Sequence, residues 1–208
     1  MALLPSILLF LAVSLVTFHV SVLAGDADIL SDFIPPTNTT IPPDGGYFTY
    51  TGLRAATDPT IPLPPDFKVF KASMAEFPAL NGQSVSFALL TYPPGTVNPP
   101  HTHPRASELL FLLEGSLEVG FVNTTNKLFN QTLEEGDIFI FPKGLMHFQY
   151  NRNEQTPAVA VSAFGSASAG TVSIPSAVFN TSIYDPILAV SFKTDVATIR
   201  RIKYGLSH

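Results

Sequence analysis

From Ser84 to Phe164 the chain alternates short apolar runs with turn residues about every ten positions, a rhythm suited to strands and not to helices. Strands are predicted near Ser84–Tyr92, His101–His103, Glu108–Leu113, Ser116–Val122, Lys127–Leu133, Ile138–Phe141, Leu145–Tyr150 and Pro157–Phe164. Between them, Pro93-Pro94-Gly95, Glu114-Gly115, Glu134-Glu135-Gly136-Asp137 and Pro142-Lys143-Gly144 each supply a residue suited to a fixed or positive φ. Short strands punctuated in this way predict an all-β barrel or sandwich.

The flanks differ in character. Residues 1–24 hold no Asp, Glu, Lys or Arg, are almost wholly apolar from Ile7 to Val16 and end in Val22-Leu23-Ala24. They read as a secretory signal peptide cleaved after Ala24, in preference to a membrane anchor. Residues 25–83 are rich in Pro, Thr, Asp and Gly, with apolar pieces at Tyr47–Tyr50 and Val69–Phe70, and read as an extended arm with a few short strands. Residues 84–165 form the expected barrel core; 208 residues with 46% apolar content suffice for one such core. Residues 166–208 are expected to form a C-terminal strand and helical extension: beyond a small, flexible loop from Gly165 to Gly170 the spacing turns helical, with Leu188 and Phe192, then Val196, Ile199 and Ile202. Asp185-Pro186 and Thr194-Asp195 look like helix starts and Gly205 like a stop, which predicts a pair of short amphipathic helices with apolar faces to bury.

The chain has no cysteine, so an arm routed for secretion must be held by packing alone. A net charge of −5, with no basic run beyond Arg200-Arg201 and Lys203, argues against nucleic acid or an anionic membrane as partner. Those three cations are placed to complement a helix C-terminus. Sequons at Asn38, Asn123, Asn130 and Asn180 are candidate glycosylation sites, Asn38 and Asn123 lying in the most loop-like surroundings.

Of the five histidines, His19 lies in the leader and His208 ends the chain; His101, His103 and His147 fall in two short stretches with Glu108 between them. His101 and His103, two apart, project from one face of a strand and can bite one ion. Glu108 is an odd number of positions beyond His103, so Pro104 to Ser107 must break the strand for Glu108 to open the next one, pointing inward with Leu110 and Leu112. Three imidazoles and a carboxylate form a metal-ligand set that suits zinc, iron, nickel, copper or manganese. A serine hydrolase is excluded, because no histidine is spare to act as base.

The spacing of these residues resembles the germin-like proteins, plant members of the cupin superfamily. One box runs Gly95, five residues, His101, one, His103, four, Glu108, six, Gly115; the other runs Gly136, five, Pro142, one, Gly144, two, His147, three, Asn151. The resemblance covers essentially the whole mature chain. It implies a jelly-roll β-barrel holding Mn(II) through His101, His103, Glu108 and His147, and a homo-oligomer, a hexamer built as a trimer of dimers, with barrels paired and C-terminal helices clasped. Pairing would cover Leu109, Phe111 and Leu113, whose face points away from the ligands. Two departures matter. The disulfide of typical germins is absent, with Ile34 standing about where its first cysteine is expected. Of the two asparagines that orient substrate in oxalate-oxidising germins, Asn98 matches one as a tentative substrate-binding residue, while Ala88 replaces the other and argues against oxalate oxidase activity.

The resemblance thus implies a secreted apoplastic glycoprotein with manganese, acting on a small molecule such as superoxide as a superoxide dismutase, with a role in defence or cell-wall processes. The alternative is a non-catalytic, metal-stabilised binding or structural glycoprotein, with Phe87, Phe139, Phe141 and Phe148 lining a pocket or simply forming core. The last four residues, Gly205-Leu206-Ser207-His208, do not form the ER-retention tetrapeptide of auxin-binding cupins.

Overall fold

The computed structural model describes residues 25–36 and 42–207, so the expected signal peptide and Asn38 lie outside the described residues. The strands are β1 (Lys68–Ala72), β2 (Ser86–Tyr92), β3 (Val97–Thr102), β4 (Glu108–Glu114), β5 (Leu117–Val122), β6 (Leu128–Leu133), β7 (Ile138–Phe141), β8 (Met146–Tyr150), β9 (Ala158–Phe164) and β10 (Val172–Ser173). Helices α1 (Ile174–Phe179), α2 (Asp185–Ser191) and α3 (Val196–Leu206) follow. Two five-stranded antiparallel sheets, ordered β1-β2-β9-β4-β7 and β10-β3-β8-β5-β6, make a jelly-roll sandwich.

Alternation along each strand builds the interior. On β4, Glu108, Leu110 and Leu112 are buried while Leu109 and Leu113 remain exposed. Beside them in the same sheet, β2 contributes Ala88, Leu90 and Tyr92 and β9 contributes Ala158 and Ala160, while β5 of the other sheet contributes Leu117 and Val119. Burying each large apolar side chain stabilises the fold by about 1.5–3 kcal/mol. Glu108 lies on the same inward face of β4 as Leu110 and Leu112.

Several expectations change in the fold. The strand expected at His101–His103 is longer and earlier: β3 begins at Val97, passes through Pro99 and Pro100, and ends at Thr102. Because neither proline has an N–H, pairing with β8 shifts between Asn98↔Gln149 and His101↔His147. In the arm, Val69–Phe70 belongs to β1, whereas Tyr47–Tyr50 lies in a turn organised by Asp44, whose carboxylate accepts from Gly46 N at 2.9 Å. The arm is also not held by packing alone. Ile29 and Ile34 pack against Gly82, Tyr47 Oη donates to the Ile34 carbonyl at 2.9 Å, and Gln83 Nε2 donates to the Asp32 carbonyl at 3.2 Å. The Asp26 carboxylate accepts from Ser166 Oγ and from Ala167 N at 2.6 Å.

That last contact pins the Gly165–Gly170 loop, which composition alone marks as flexible. Ser166 and Ala167 are buried, Ser86 Oγ donates to the Ser166 carbonyl at 2.7 Å, and Arg105 donates to Ser168 through Nε and Nη2. Small side chains here serve close packing.

At the C-terminus there are three helices among the described residues, not two, α1 having no stripe long enough to read. Asp195 caps α3 by accepting from Thr198 N at 2.8 Å, and Pro186 sits in the first turn of α2. Gly205 lies inside α3, which runs to Leu206. Arg200 and Lys203 do not simply complement a helix end: both pair with Asp185 at the start of α2, at 3.0 and 2.9 Å. Leu188 and Ile199 close the small core between α2 and α3, while Phe192 is half exposed just past α2.

Gly115, between β4 and β5, adopts φ +84°, and a Cβ there would stand 2.5 Å from the Pro157 carbonyl oxygen and 3.0 Å from Ala158 Cα. Gly136 has φ +94° with open space around it. Gly115→Ala is therefore expected to cost about 2 kcal/mol or more and Gly136→Ala only about 1 kcal/mol, as read from urea midpoints; equal losses would show that backbone approach at Gly115 is not tight.

Candidate metal centre

Four donors converge from three strands and one loop. His101 comes from β3, Glu108 opens β4, His147 lies on β8 directly across from His101, and His103 follows the end of β3. The break at Pro104–Ser107 is present as expected, and it turns Glu108 inward. All four side chains are buried, Glu108 at 1% exposure, and one ligand atom from each lies within 4.8 Å of the others.

The imidazole hydrogen bonds decide what this cluster can do. His101 Nδ1 donates to the Pro99 carbonyl at 2.8 Å, and His147 Nδ1 to the Leu145 carbonyl at 2.8 Å, each reaching two residues back along its own chain. His103 Nδ1 donates to the Gly170 carbonyl of the pinned loop. With each Nδ1 proton committed to a carbonyl, Nε2 of a neutral ring carries the lone pair. Yet Nε2 of His103 and of His147 lie 3.0 and 3.1 Å from Glu108 Oε2. Lone pairs facing a carboxylate oxygen repel unless the rings are protonated or a cation lies among them. The donor set therefore fits a metal ion.

The carboxylate is held from behind. Glu108 Oε1 accepts from Ser162 Oγ at 2.6 Å and from Gln149 Nε2 at 3.5 Å, leaving Oε2 to the histidines. Gln149 Oε1 in turn accepts from Asn98 Nδ2 at 2.6 Å and from Tyr92 Oη at 3.4 Å. Such partners fix the orientation and basicity of ligands. Burial works to raise the Glu108 pKa, but in the metal-free site protonated His103 and His147 rings would donate hydrogen bonds and bring positive charge that outweigh it and hold the carboxyl well below its usual range, as a cation would. For His101, burial first and the neighbouring His147 second push the pKa down from 6.5 to about 4. Phe141 stacks on His147 at 4.4 Å between centroids, and Phe164 meets the His103 ring edge-on at 4.8 Å.

A cavity of about 270 Å³ reaches this centre, lined by His101, His103, Glu108, Asn98 and Ala88 and by residues of β1 and the segment after it. Phe87 and Phe164 touch it, but Phe87, Phe139, Phe141 and Phe148 do not line one pocket together. Phe139 and Phe141 belong to the interior, while Phe148, on the opposite face of β8 from His147, packs over Gly120. Among the remaining candidate sites, Asn123 closes the β5–β6 turn, accepting from Lys127 N at 2.9 Å; Asn130 is exposed on edge strand β6; and Asn180 caps the end of α1.

Sequence reading missed Gln149 and Ser162. Gln149 was within reach, because it stands two residues beyond His147 and so shares its face. Ser162 meets Glu108 only through the pairing of β9 with β4, which no local pattern reveals.

A model of the cupin family matches residues 58–200. Germin-like protein 9-3 of Oryza sativa subsp. japonica is 56% identical over 207 residues, covering 97% of this chain and 96% of that protein. Germin-like protein subfamily 2 member 4 of Arabidopsis thaliana is 37% identical over 206 residues, covering 91% and 92%. Among solved structures, an oxalate oxidase in complex with the substrate analogue glycolate superposes with a TM-score of 0.75 at 29% identity, covering 86% of this chain and 97% of that one.

Two outcomes follow from the geometry. In the metal-free protein, His101 stays neutral in the fold down to about pH 4 but is protonated below about 6.5 when unfolded. Its contribution, on the order of 3 kcal/mol, is complete above pH 6.5 and is lost as pH falls toward 4; a thermal midpoint that is flat across this window contradicts the burial. Ser162→Ala, which leaves alanine as at the other inward positions of β9, is expected to fold normally and to bind metal about 10- to 100-fold more weakly in a competitive chelator titration; unchanged affinity would show that Ser162 does not support Glu108.

Proposed function

The chain belongs to the cupin family and, within it, to the germin-like proteins, and on that premise we propose that it is a secreted manganese protein of the plant apoplast that disproportionates superoxide. His101, His103, Glu108 and His147 are the proposed ligands. The observation that carries this reading is the set of Nδ1 hydrogen bonds to the Pro99, Gly170 and Leu145 carbonyls, which leave three Nε2 lone pairs free for an ion, those of His103 and His147 facing one carboxylate oxygen. When bound, manganese would supply the one-electron chemistry by which two superoxide ions and two protons yield dioxygen and hydrogen peroxide.

The chain's own residues hold and present the site. Ser162 and Gln149 keep Glu108 aimed inward, and the stacked Phe141 and edge-on Phe164 limit water around the rings. Asn98 lines the cavity with one amide hydrogen committed to Gln149, and we assign its other to a bound substrate. Ala88, buried on the same wall, offers no donor. A missing donor to a charged ligand costs about 1.5–3 kcal/mol, so oxalate oxidation is not part of the proposal.

The exposed apolar residues Leu109, Leu113, Ile138 and Ile140 on β4 and β7, with Ile187 and Val190 on α2, support a homo-oligomer, proposed as a hexamer of three dimers. Glycosylation at Asn38, Asn123, Asn130 and Asn180 and a role in defence or cell-wall processes complete the reading. A second reading, a metal-stabilised binding or structural glycoprotein without turnover, is favoured by the burial of all four donors.

Superoxide consumption measured with metal content on the same secreted sample, beside a His147→Ala twin, separates the two. Activity that tracks manganese and falls to background in the twin is expected. A fully loaded, assembled protein that does not turn over would leave the binding or structural reading.

A further inference from the structure

Lys71 stands at the wall of the cavity that leads to the metal centre, and its charge acts on Glu76 of the same wall only at a distance: the Ser73 hydrogen bond is the first of the causes that hold the Glu76 pKa down and Lys71 the last. On β1, Val69 and Lys71 line the cavity, whereas Lys68 and Phe70 alternate to the other face, where the Lys68 ammonium lies 5.1 Å from the Phe70 ring centroid. Among the described residues, the Lys71 ammonium has no hydrogen bond or ion pair; only its backbone carbonyl is used, accepting from Tyr50 Oη at 3.2 Å. Its cross-strand neighbour is Ala88, which ends at a methyl group, so no larger side chain there holds the lysine stem out of the cavity.

The other charges around the cavity are accounted for. Glu108 belongs to the ligand cluster. Glu76 also lines the wall, but its carboxylate is taken up by Ser73, accepting from Ser73 N at 3.0 Å and from Ser73 Oγ. Among the described residues, no other lysine or arginine lines this cavity. A divalent ion, one ligand carboxylate, neutral imidazoles and one unpaired ammonium beside a committed carboxylate leave the cavity with a positive excess. Lys71 is exposed to solvent, and its place on a concave wall focuses its field into the cavity, so it draws anions more strongly than a cation on a convex surface.

We propose that Lys71 is the specificity-determining residue of this cavity: its ammonium recruits small oxygen-bearing monoanions, superoxide among them, and holds them beside the metal ligands. This rests on the reading of the four-residue cluster as a metal centre, and it names the residue through which the centre selects its ligand's charge. A lysine is suited to the role, since its three donors rotate freely and accept an anion in more than one pose.

The test is calorimetric titration of formate, a stable monoanion, into the metal-loaded full chain at fixed ionic strength, with metal content and thermal midpoint measured on each sample. Lys71→Gln is expected to weaken formate binding roughly tenfold, Lys71→Arg to stay within about threefold of wild type, and Lys68→Ala, which removes a charge from the opposite face of the same strand, to leave it unchanged. Lys71→Gln binding formate as the wild type does, or Lys68→Ala losing as much as Lys71→Gln, would overturn the assignment. A protein that takes up no metal overturns both this inference and the metal-centre reading. A loaded protein that binds formate through Lys71 but does not consume superoxide overturns the dismutase reading alone.

Discussion

A carboxylate buried to 1% exposure is the most demanding object in this molecule, and much of the structure around it answers that demand. Left alone, such a charge would cost several kcal/mol and would neutralise or drag water inward. Here Glu108 is met by Ser162 from β9, by Gln149 and His147 from β8 and by His103 beyond β3, so both sheets contribute to satisfying one side chain. The sandwich and the centre are therefore one construction: the strand pairings that close the barrel also bring the partners of Glu108 within reach. Among the described residues, no buried side-chain nitrogen or oxygen lacks a hydrogen-bond partner, which is the condition for a polar cluster to sit in an apolar interior at all.

How much of this could be read from sequence depends on the range of the signal. Period-two alternation in the sequence puts Glu108, Leu110 and Leu112 on one face of β4, and burial follows it, because alternation is a local consequence of strand geometry. The turns at Gly115, Gly136 and Gly144 were legible for a similar reason: each adopts a positive φ, which glycine meets without strain. What escaped was set by pairing between distant segments. Ser162 is unremarkable in its own stretch and becomes a partner of Glu108 only because β9 lies beside β4. Pro99 and Pro100 lie before the strand expected at His101–His103, yet β3 runs through them by skipping a step of its ladder, and the Pro99 carbonyl then orients His101.

The loop at 165–170 shows how composition misleads when burial is unknown. Gly, Ser and Ala suggest freedom, but here the same small side chains let backbone approach backbone, and the loop delivers the Gly170 carbonyl to His103. Asn151 makes a related point at the other end of the second box. It touches no ligand; its side chain ties the Tyr92 and Thr156 carbonyls at 2.9 Å each, joining the ends of β2, β8 and β9. A recurring motif can thus mix residues that bind with residues that merely keep the binders in register.

The tether of the N-terminal arm has a chemical character of its own. Asp26, Asp32 and Ile34 are held through oxygen and nitrogen, by Ser166, Ala167, Gln83 and Tyr47, and the whole chain contains no cysteine. Sulfur occurs only in Met1, Met74 and Met146. An arm fastened this way is blind to the thiol–disulfide balance of its surroundings, and a chain proposed to release hydrogen peroxide beside its own core carries no thiol there for that product to oxidise.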